Sequence, residues 1–274
     1  MAPIGSTGQR LRGLGLWLDA PRPRGIDDDV LEQAAAAAGA AERTGFTSVW
    51  VVETRAEPPD AVPYEAFSLL GALATRTDAI HLGLVAEGGQ RRAPSILAKL
   101  VSSIDVLSHG RAVLSLDGDR SQPADTHRLG EALDVARAVL EDEHPTVDGR
   151  IYSVVDAVNR PAPVQAGGVP LVVFLHGKGP SDAPLARCAR SADAVVVPGT
   201  PEAVRDAVTY VQRWTGPRDR GGESVTVLGR VTVDERASAA DAVTSVREAG
   251  ADGCLVGVPA PWSAEQVEGL QLAW

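Results

Sequence analysis

Eight short apolar runs alternate with helical patterns along the chain. The runs are rich in Val and Leu and apolar throughout, which predicts strands of a parallel sheet that is buried on both faces. The predicted strands are Gly13–Leu18, Ser48–Val52, Ile80–Val85, Ala112–Leu116, Pro170–Leu175, Ala194–Val197, Ser224–Val233 and Gly253–Val258. The predicted helices are Asp29–Thr44, Tyr64–Thr77, Pro94–Leu107, Leu129–Glu141, Ala183–Ser191, Thr200–Thr215, Ala237–Ala249 and Ser263–Leu272.

Eight such strand–helix units predict a closed (βα)8 TIM barrel of the α/β class, and 274 residues is an ordinary length for that fold. An open doubly wound sheet is the alternative, because periodicity alone does not reveal closure. No linker divides the chain, so residues 13–274 are expected to form a single domain, with residues 1–12 as a flexible N-terminal arm. The segment Val147–Val158 breaks the alternation and predicts a short hairpin or extended arm before the fifth strand.

Composition argues against several classes of partner. The net charge of −10 disfavours nonspecific binding to nucleic acid, which needs a basic surface. No apolar run approaches the roughly 18 residues that span a bilayer, so no membrane association is expected. Cys188 and Cys254 lie far apart without metal-ligand spacing, which favours reduced thiols, a cytoplasmic location and no bound metal.

In a barrel of this kind the chemistry lies at the carboxyl ends of the strands and in the loops that follow them. The fifth strand is followed by His176-Gly177-Lys178-Gly179-Pro180, where glycine N–H groups and one lysine suit a phosphate-sized anion. A mobile glycine-rich turn is the alternative for this segment. Glu53 ends the second strand and is a candidate proton acceptor or ligand-binding carboxylate, with a barrel-rim ion pair as the alternative.

Several stretches, in this order, resemble the bacterial luciferase-like superfamily, which includes flavin-dependent monooxygenases and coenzyme F420-dependent oxidoreductases. They cover most of the chain: Ala41–Val51, Leu70–Thr77, Ile80–Gly83, Ala98-Lys99, Ile104–Arg111, Asp148–Tyr152 and Arg160–Gln165. The fold of the superfamily is a (βα)8 barrel, in agreement with the strand count.

The resemblance implies a cofactor, coenzyme F420 or FMN, that lies across the strand ends. It implies a non-proline cis peptide at Val85-Ala86 that supports the ring, and a phosphate site at Gly177, Lys178 and Gly179. The neighbouring His176, and Gly118 after the fourth strand, are further cofactor-binding candidates, and Glu53 is the catalytic candidate. The resemblance also implies a small-molecule substrate and a homodimer. The chain departs from the superfamily at Thr54, where many F420-using members have histidine, and in its short loops after the fourth and seventh strands.

Three functions remain open from the sequence. The first is an oxidoreductase that uses F420 or reduced FMN for hydride transfer or monooxygenation of a small organic substrate. The second, motivated by Thr54 and the acidic Asp117-Gly118-Asp119 turn, is a degenerate barrel without a cofactor that acts as a binding or assembly protein. The third is a barrel that binds another phosphorylated metabolite at Gly177–Pro180.

Overall fold

The computed structural model describes residues 11–18, 29–53, 65–86, 92–118, 123–175, 182–214, 224–233 and 239–274. These residues contain ten strands and eight helices. The strands are β1 (Gly13–Leu18), β2 (Ser48–Glu53), β3 (His81–Ala86), β4 (Ala112–Gly118), β5 (Val147–Asp148), β6 (Ser153–Val154), β7 (Leu171–Leu175), β8 (Ala194–Pro198), β9 (Thr226–Thr232) and β10 (Gly253–Val258). The helices are α1 (Val30–Arg43), α2 (Ala66–Ala74), α3 (Pro94–Leu107), α4 (Pro123–Glu141), α5 (Asp182–Ser191), α6 (Pro201–Arg213), α7 (Ala239–Glu248) and α8 (Ala264–Glu268).

Eight of the strands close into a parallel barrel in the order β1-β10-β9-β8-β7-β4-β3-β2. Closure confirms the predicted (βα)8 architecture and excludes the open sheet. The remaining two strands, β5 and β6, pair antiparallel as the predicted hairpin. Only residues 119–122 lie between β4 and α4, and only residues 233–238 between β9 and α7, so these two connections are short as predicted.

Two predicted helices differ from those observed by four or more residues at one end. The first, α4, begins at Pro123 instead of Leu129, because proline fits the first helical turn and the polar residues after it do not prevent helix formation. The second, α8, ends at Glu268 instead of Leu272, where Gly269 forms the C-cap. The apolar pattern located both helices, but it missed the polar start of α4 and continued α8 past Gly269 because Leu270 and Leu272 are apolar.

The barrel has an inner and an outer apolar layer, because successive side chains of a strand point to opposite faces. The outer layer fills the space between strands and helices. The inner layer is Leu11, Trp17, Trp50, Val52, Val85, Val113, Val172, Phe174, Ala194, Val196, Leu228 and Leu255. Trp50 is fully buried, and its Nε1 donates to Ser48 Oγ at 2.9 Å. Glycine at position 83 makes room for this indole, since a Cβ there would lie 2.2 Å from Trp50 Cε3.

The amino ends of the strands are held by buried or half-buried polar side chains. Asp193 precedes β8 and accepts the backbone N–H of Leu171 at 2.8 Å, which ties β7 to β8. Asp252 precedes β10 and accepts the N–H of Val227 at 2.9 Å, which ties β9 to β10 in the same way. The buried Arg111 guanidinium donates to the carbonyls of Ala74, Thr77 and Ile80 at 2.9 Å each. These bonds fix the end of the barrel opposite to the predicted ligand site.

The chain between β6 and β7 crosses α3 and is fastened to it by one buried carboxylate. Asp105 Oδ2 accepts the backbone N–H of Val164 at 2.7 Å and that of Gln165 at 2.9 Å, and its Oδ1 accepts Gln165 Nε2 at 3.0 Å. Asn159 also donates to Ser102 Oγ on α3 at 2.7 Å. Asp105 is therefore the anchor of this segment.

The last two residues of the predicted flexible arm, Leu11 and Arg12, pack against the barrel. Leu11 is 1% exposed within the inner layer, and Arg12 forms an ion pair with Asp252 at 3.2 Å. Residues 1–10 lie outside the described residues, so the arm stays a prediction there. Cys188 and Cys254 are free and buried, as predicted. Among the described helices, none combines the length and apolarity that a membrane crossing requires.

Candidate functional site

The strand register gathers the predicted site positions at one end of the barrel. Glu53 at the end of β2 pairs with Ala86 at the end of β3. On the next two strands Gly118 pairs with Leu175, the residue before His176. Because β2, β3, β4 and β7 are consecutive neighbours in a parallel barrel, their carboxyl ends form one continuous rim. The backbone therefore brings these four positions to the same half of the mouth.

The mouth has an apolar floor inside this rim. Trp17, Val52, Val85 and Phe174 each lie one residue before the end of their strand and belong to the inner layer. They are 0–7% exposed. The Phe174 ring contacts Trp17 edge-on, with ring centroids 5.4 Å apart, and contacts Trp50 in the same manner at 5.5 Å. Such edge-to-face contacts fix the orientation of the three rings. Trp17 and Trp50 are buried side chains of the inner layer, and Trp17 is also part of the floor.

One charged side chain joins the floor. Arg230 of β9 is half-buried, and its Cζ lies 4.9 Å from the centroid of the Trp17 ring. A guanidinium over an indole face gains about 0.5–2 kcal/mol from the ring quadrupole, depending on how far water is excluded. Sequence reasoning missed this residue because it searched the loops after the strands. The signal was present: Arg230 interrupts the apolar run of β9 two residues after Leu228, on the same strand face.

Other predicted site residues lie at or beyond the edge of the described structure. Val85 is fully buried in the inner layer, and the isomer of the Val85-Ala86 bond stays a prediction. His176, Gly177, Lys178 and Gly179 lie outside the described residues, so the phosphate site also stays a prediction. The backbones of Glu53 and Gly118 are placed as strand ends, and their roles stay predictions.

His81 and His144 lie away from this mouth. His81 Nδ1 lies 3.3 Å from the carbonyl of Arg111 at the amino end of the barrel. His144 is exposed and pairs with Asp156 at 2.9 Å. Burial raises the pKa of each of Cys188 and Cys254 to about 12, which leaves them as inert thiols at neutral pH. Within the described ranges, no group of three or more His, Cys, Asp or Glu side chains is placed to hold a metal ion.

A closed (βα)8 barrel with an apolar floor at the carboxyl ends of its strands defines a class of ligand-binding barrels. Residues 13–264 match the family of luciferase-like monooxygenases. The chain belongs to this luciferase-like family.

Three known proteins illustrate the relationship. F420-dependent glucose-6-phosphate dehydrogenase of Beutenbergia cavernae is 29% identical, over 53% of this chain and 47% of that protein. The chain thus spans about half the length of this curated relative. The structure of an F420-dependent secondary alcohol dehydrogenase in complex with an F420-acetone adduct is 16% identical with a TM-score of 0.76, and the match covers 95% of this chain and 97% of that one. A riboflavin lyase with modified FMN and riboflavin is 14% identical with a TM-score of 0.62, over 87% and 66% of the two chains. At these identities the structural likeness shows the shared fold.

The described lining fits a flat conjugated ring of the flavin or deazaflavin type. Such a ring needs an apolar platform for its face and polar groups at its edge. Trp17, Val52, Val85 and Phe174 provide the platform, and Arg230 provides a cationic donor beside it. The donor set is that of an organic ring and not of a metal ion.

Proposed function

We propose that the protein is an oxidoreductase that uses coenzyme F420 or reduced FMN to act on a small organic substrate. The observation that carries the proposal is the mouth of the barrel, where an apolar floor adjoins the gathered ends of β2, β3, β4 and β7. Membership of the luciferase-like family supports it, and so do the F420 and FMN in the names of the relatives above.

Each part of the mouth has a distinct task in this proposal. When bound, the cofactor supplies the redox chemistry, either hydride transfer or activation of oxygen. Val85 and Ala86 support one face of the ring, while Trp17 and Phe174 close the space below and exclude water. Glu53, at the adjoining strand end, accepts a hydrogen bond or holds a proton at its carboxylate beside the ring.

The phosphate of the cofactor is assigned to the loop after β7. Gly177 and Gly179 offer backbone N–H groups without a side chain in the way, and the Lys178 ammonium adds a positive charge. His176 and Gly118 are assigned to the same site, and the pairing of Gly118 with Leu175, which precedes His176 in the sequence, supports this assignment. The chain itself has no other lysine near this loop, since its second lysine is Lys99 on α3.

Binding titrations with F420 and FMN test the proposal, with fluorescence as the readout. Lys178→Ala is expected to raise the Kd by at least tenfold, which is about 1.4 kcal/mol. Lys99→Ala is the matched control, because Lys99 donates to the carbonyl of Arg160 on the outer surface of the barrel. The control is expected to bind like the wild type.

Two results would contradict parts of this proposal. Unchanged affinity in Lys178→Ala removes the phosphate role of that lysine. A wild-type protein that binds neither cofactor, as isolated or after titration, favours the degenerate barrel instead. A homodimer, a cytoplasmic location and the absence of nucleic-acid binding stay predictions.

A further inference from the structure

We propose that Arg230 is a specificity-determining residue that binds an anionic oxygen of the ligand on the β1 side of the mouth. The proposal rests on the proposed function, because it takes the mouth as the ligand site. It adds a second point of anion recognition to the predicted phosphate loop and so restricts the chemistry of the bound molecule.

The strand order explains how Arg230 reaches this position. Arg230 follows Leu228 by two residues, and Leu228 belongs to the inner layer, so both side chains face the interior. β10 stands between β9 and β1 in the barrel, and the residue of β10 that pairs with Trp17 is Gly257. The Arg230 side chain spans the width of β10, and its Cζ comes within 4.9 Å of the Trp17 ring centroid.

The chemistry of the pair suits an oxyanion. Arginine stays charged at every physiological pH, and placing this charge over a buried indole partly compensates for lost hydration. A guanidinium donates in its own plane, so Arg230 is able to donate to several oxygen acceptors while its Cζ stays over the Trp17 ring. Five such donors serve several acceptors at once, and a carboxylate or an enolate-type oxygen matches their fork.

The position separates this site from the predicted phosphate loop. β1 is four strands from β7 in the closed ring of eight, so the two strands stand across the barrel from each other. Trp17 of β1 and Phe174 of β7 meet at the centre with ring centroids 5.4 Å apart. A ligand with its phosphate at the loop after β7 therefore presents the other end of its ring, or the substrate beside that ring, to Arg230.

The experiment uses the full-length protein with Arg230→Gln and Arg230→Lys. Arg205→Gln is the matched control, because Arg205 lies on the outer face of α6 with 57% of its side chain exposed. Dissociation constants are measured for oxidised and for chemically reduced FMN and F420, and for succinate and inorganic phosphate as simple anions. Thermal unfolding of each variant verifies that it is folded.

Two results support the proposal and distinguish the source of the anionic oxygen. If the oxygen belongs to the reduced ring, Arg230→Gln weakens binding of the reduced cofactor by about tenfold, equal to about 1.4 kcal/mol, and changes the oxidised form much less. If it belongs to the substrate, the variant binds both cofactor forms normally and loses about tenfold in affinity for succinate or phosphate. In either case Arg230→Lys retains part of the affinity and Arg205→Gln retains all of it.

The proposal is overturned if folded Arg230→Gln binds all four cofactor forms and both anions as the wild type does. Failure of the proposed function has a different signature, in which the wild type binds neither FMN nor F420. The succinate and phosphate measurements then decide the role of Arg230 alone. Loss of anion binding in Arg230→Gln supports the role, and equal binding, or none by the wild type, refutes it.

Discussion

A single methyl group added at Gly83 is expected to destabilise the barrel substantially. The Cβ of Gly83→Ala would lie 2.2, 2.5 and 2.6 Å from three carbons of the Trp50 indole. Carbon atoms pack best at about 3.5–4.0 Å, so the ring or the strand has to move by more than an ångström. Trp50 has little freedom to do so, because it is fully buried, bonded to Ser48 and packed on Phe174. Overpacking of a core costs about 1–3 kcal/mol, and this contact falls at the upper end.

Urea unfolding followed by tryptophan fluorescence measures the effect, with an expected loss of about 2–3 kcal/mol in the free energy of unfolding and a fall in Tm of roughly 4–8 °C. Gly71→Ala in α2 is the matched control. Its Cβ would lie 3.6 Å from Ile104 Cδ1, an ordinary contact, and alanine favours a helix over glycine by about 0.5–1 kcal/mol. The two substitutions are therefore expected to change stability in opposite directions.

Combining Gly83→Ala with Trp50→Leu separates the clash from any other cost of the methyl group. Without the indole, the alanine is expected to cost less than about 1 kcal/mol, so the two substitutions couple strongly in a double-mutant cycle. The reasoning is refuted if Gly83→Ala alone matches the wild type to within about 0.5 kcal/mol, or if its cost is the same in both backgrounds.

Three further predictions concern the scaffold. Ellman's reagent at pH 8 is expected to react with neither Cys188 nor Cys254 until urea unfolds the protein. Burial raises the pKa of both thiols from 9.0 to about 12, so their contribution to the free energy of unfolding is present below pH 9 and is lost as the pH rises from 9 toward 12. Burial alone would raise the pKa of Glu42, but three backbone N–H donors outweigh it and lower the pKa, so Glu42→Gln should lose about 1 kcal/mol at pH 7, a difference that narrows as the pH falls below 4.5. Asp105→Asn removes the charged acceptor of the Val164 and Gln165 N–H groups. It is expected to lower the free energy of unfolding, measured in urea, by about 2–3 kcal/mol and to speed proteolysis between β6 and β7. Unchanged cleavage would contradict the anchoring role.

The barrel could be predicted from the sequence because its strands are buried on both faces and therefore form uninterrupted apolar runs. β1 and β10 have the predicted bounds, as does α3 with its starting proline at position 94. The first turn of α4 was missed because its sequence is polar and therefore gives no apolar pattern. The sequence offered a pattern for the hydrogen bonds of Asp193 and Asp252 to the neighbouring strands, since each aspartate follows an alanine and directly precedes a strand.

Only part of the candidate site could be predicted from the sequence. The sequence alone predicted that Glu53, Ala86 and Gly118 lie at the carboxyl ends of neighbouring strands, because this placement depends on topology alone. The contact between Arg230 and Trp17 needed the strand order, which places β1 and β9 on either side of β10. No local pattern reports that two residues more than 200 positions apart share the mouth of a barrel.

The hydrogen bonds of Asp193 and Asp252 hold the amino ends of the strands independently of the loops at the carboxyl ends. Asp193 and Asp252 join neighbouring strands at their amino ends, remote from the ligand. A segment inserted between β9 and α7 would leave both bonds in place, since neither depends on how the chain travels over the opposite end. A longer segment grafted there is therefore expected to leave the shape of the cylinder beneath it unchanged.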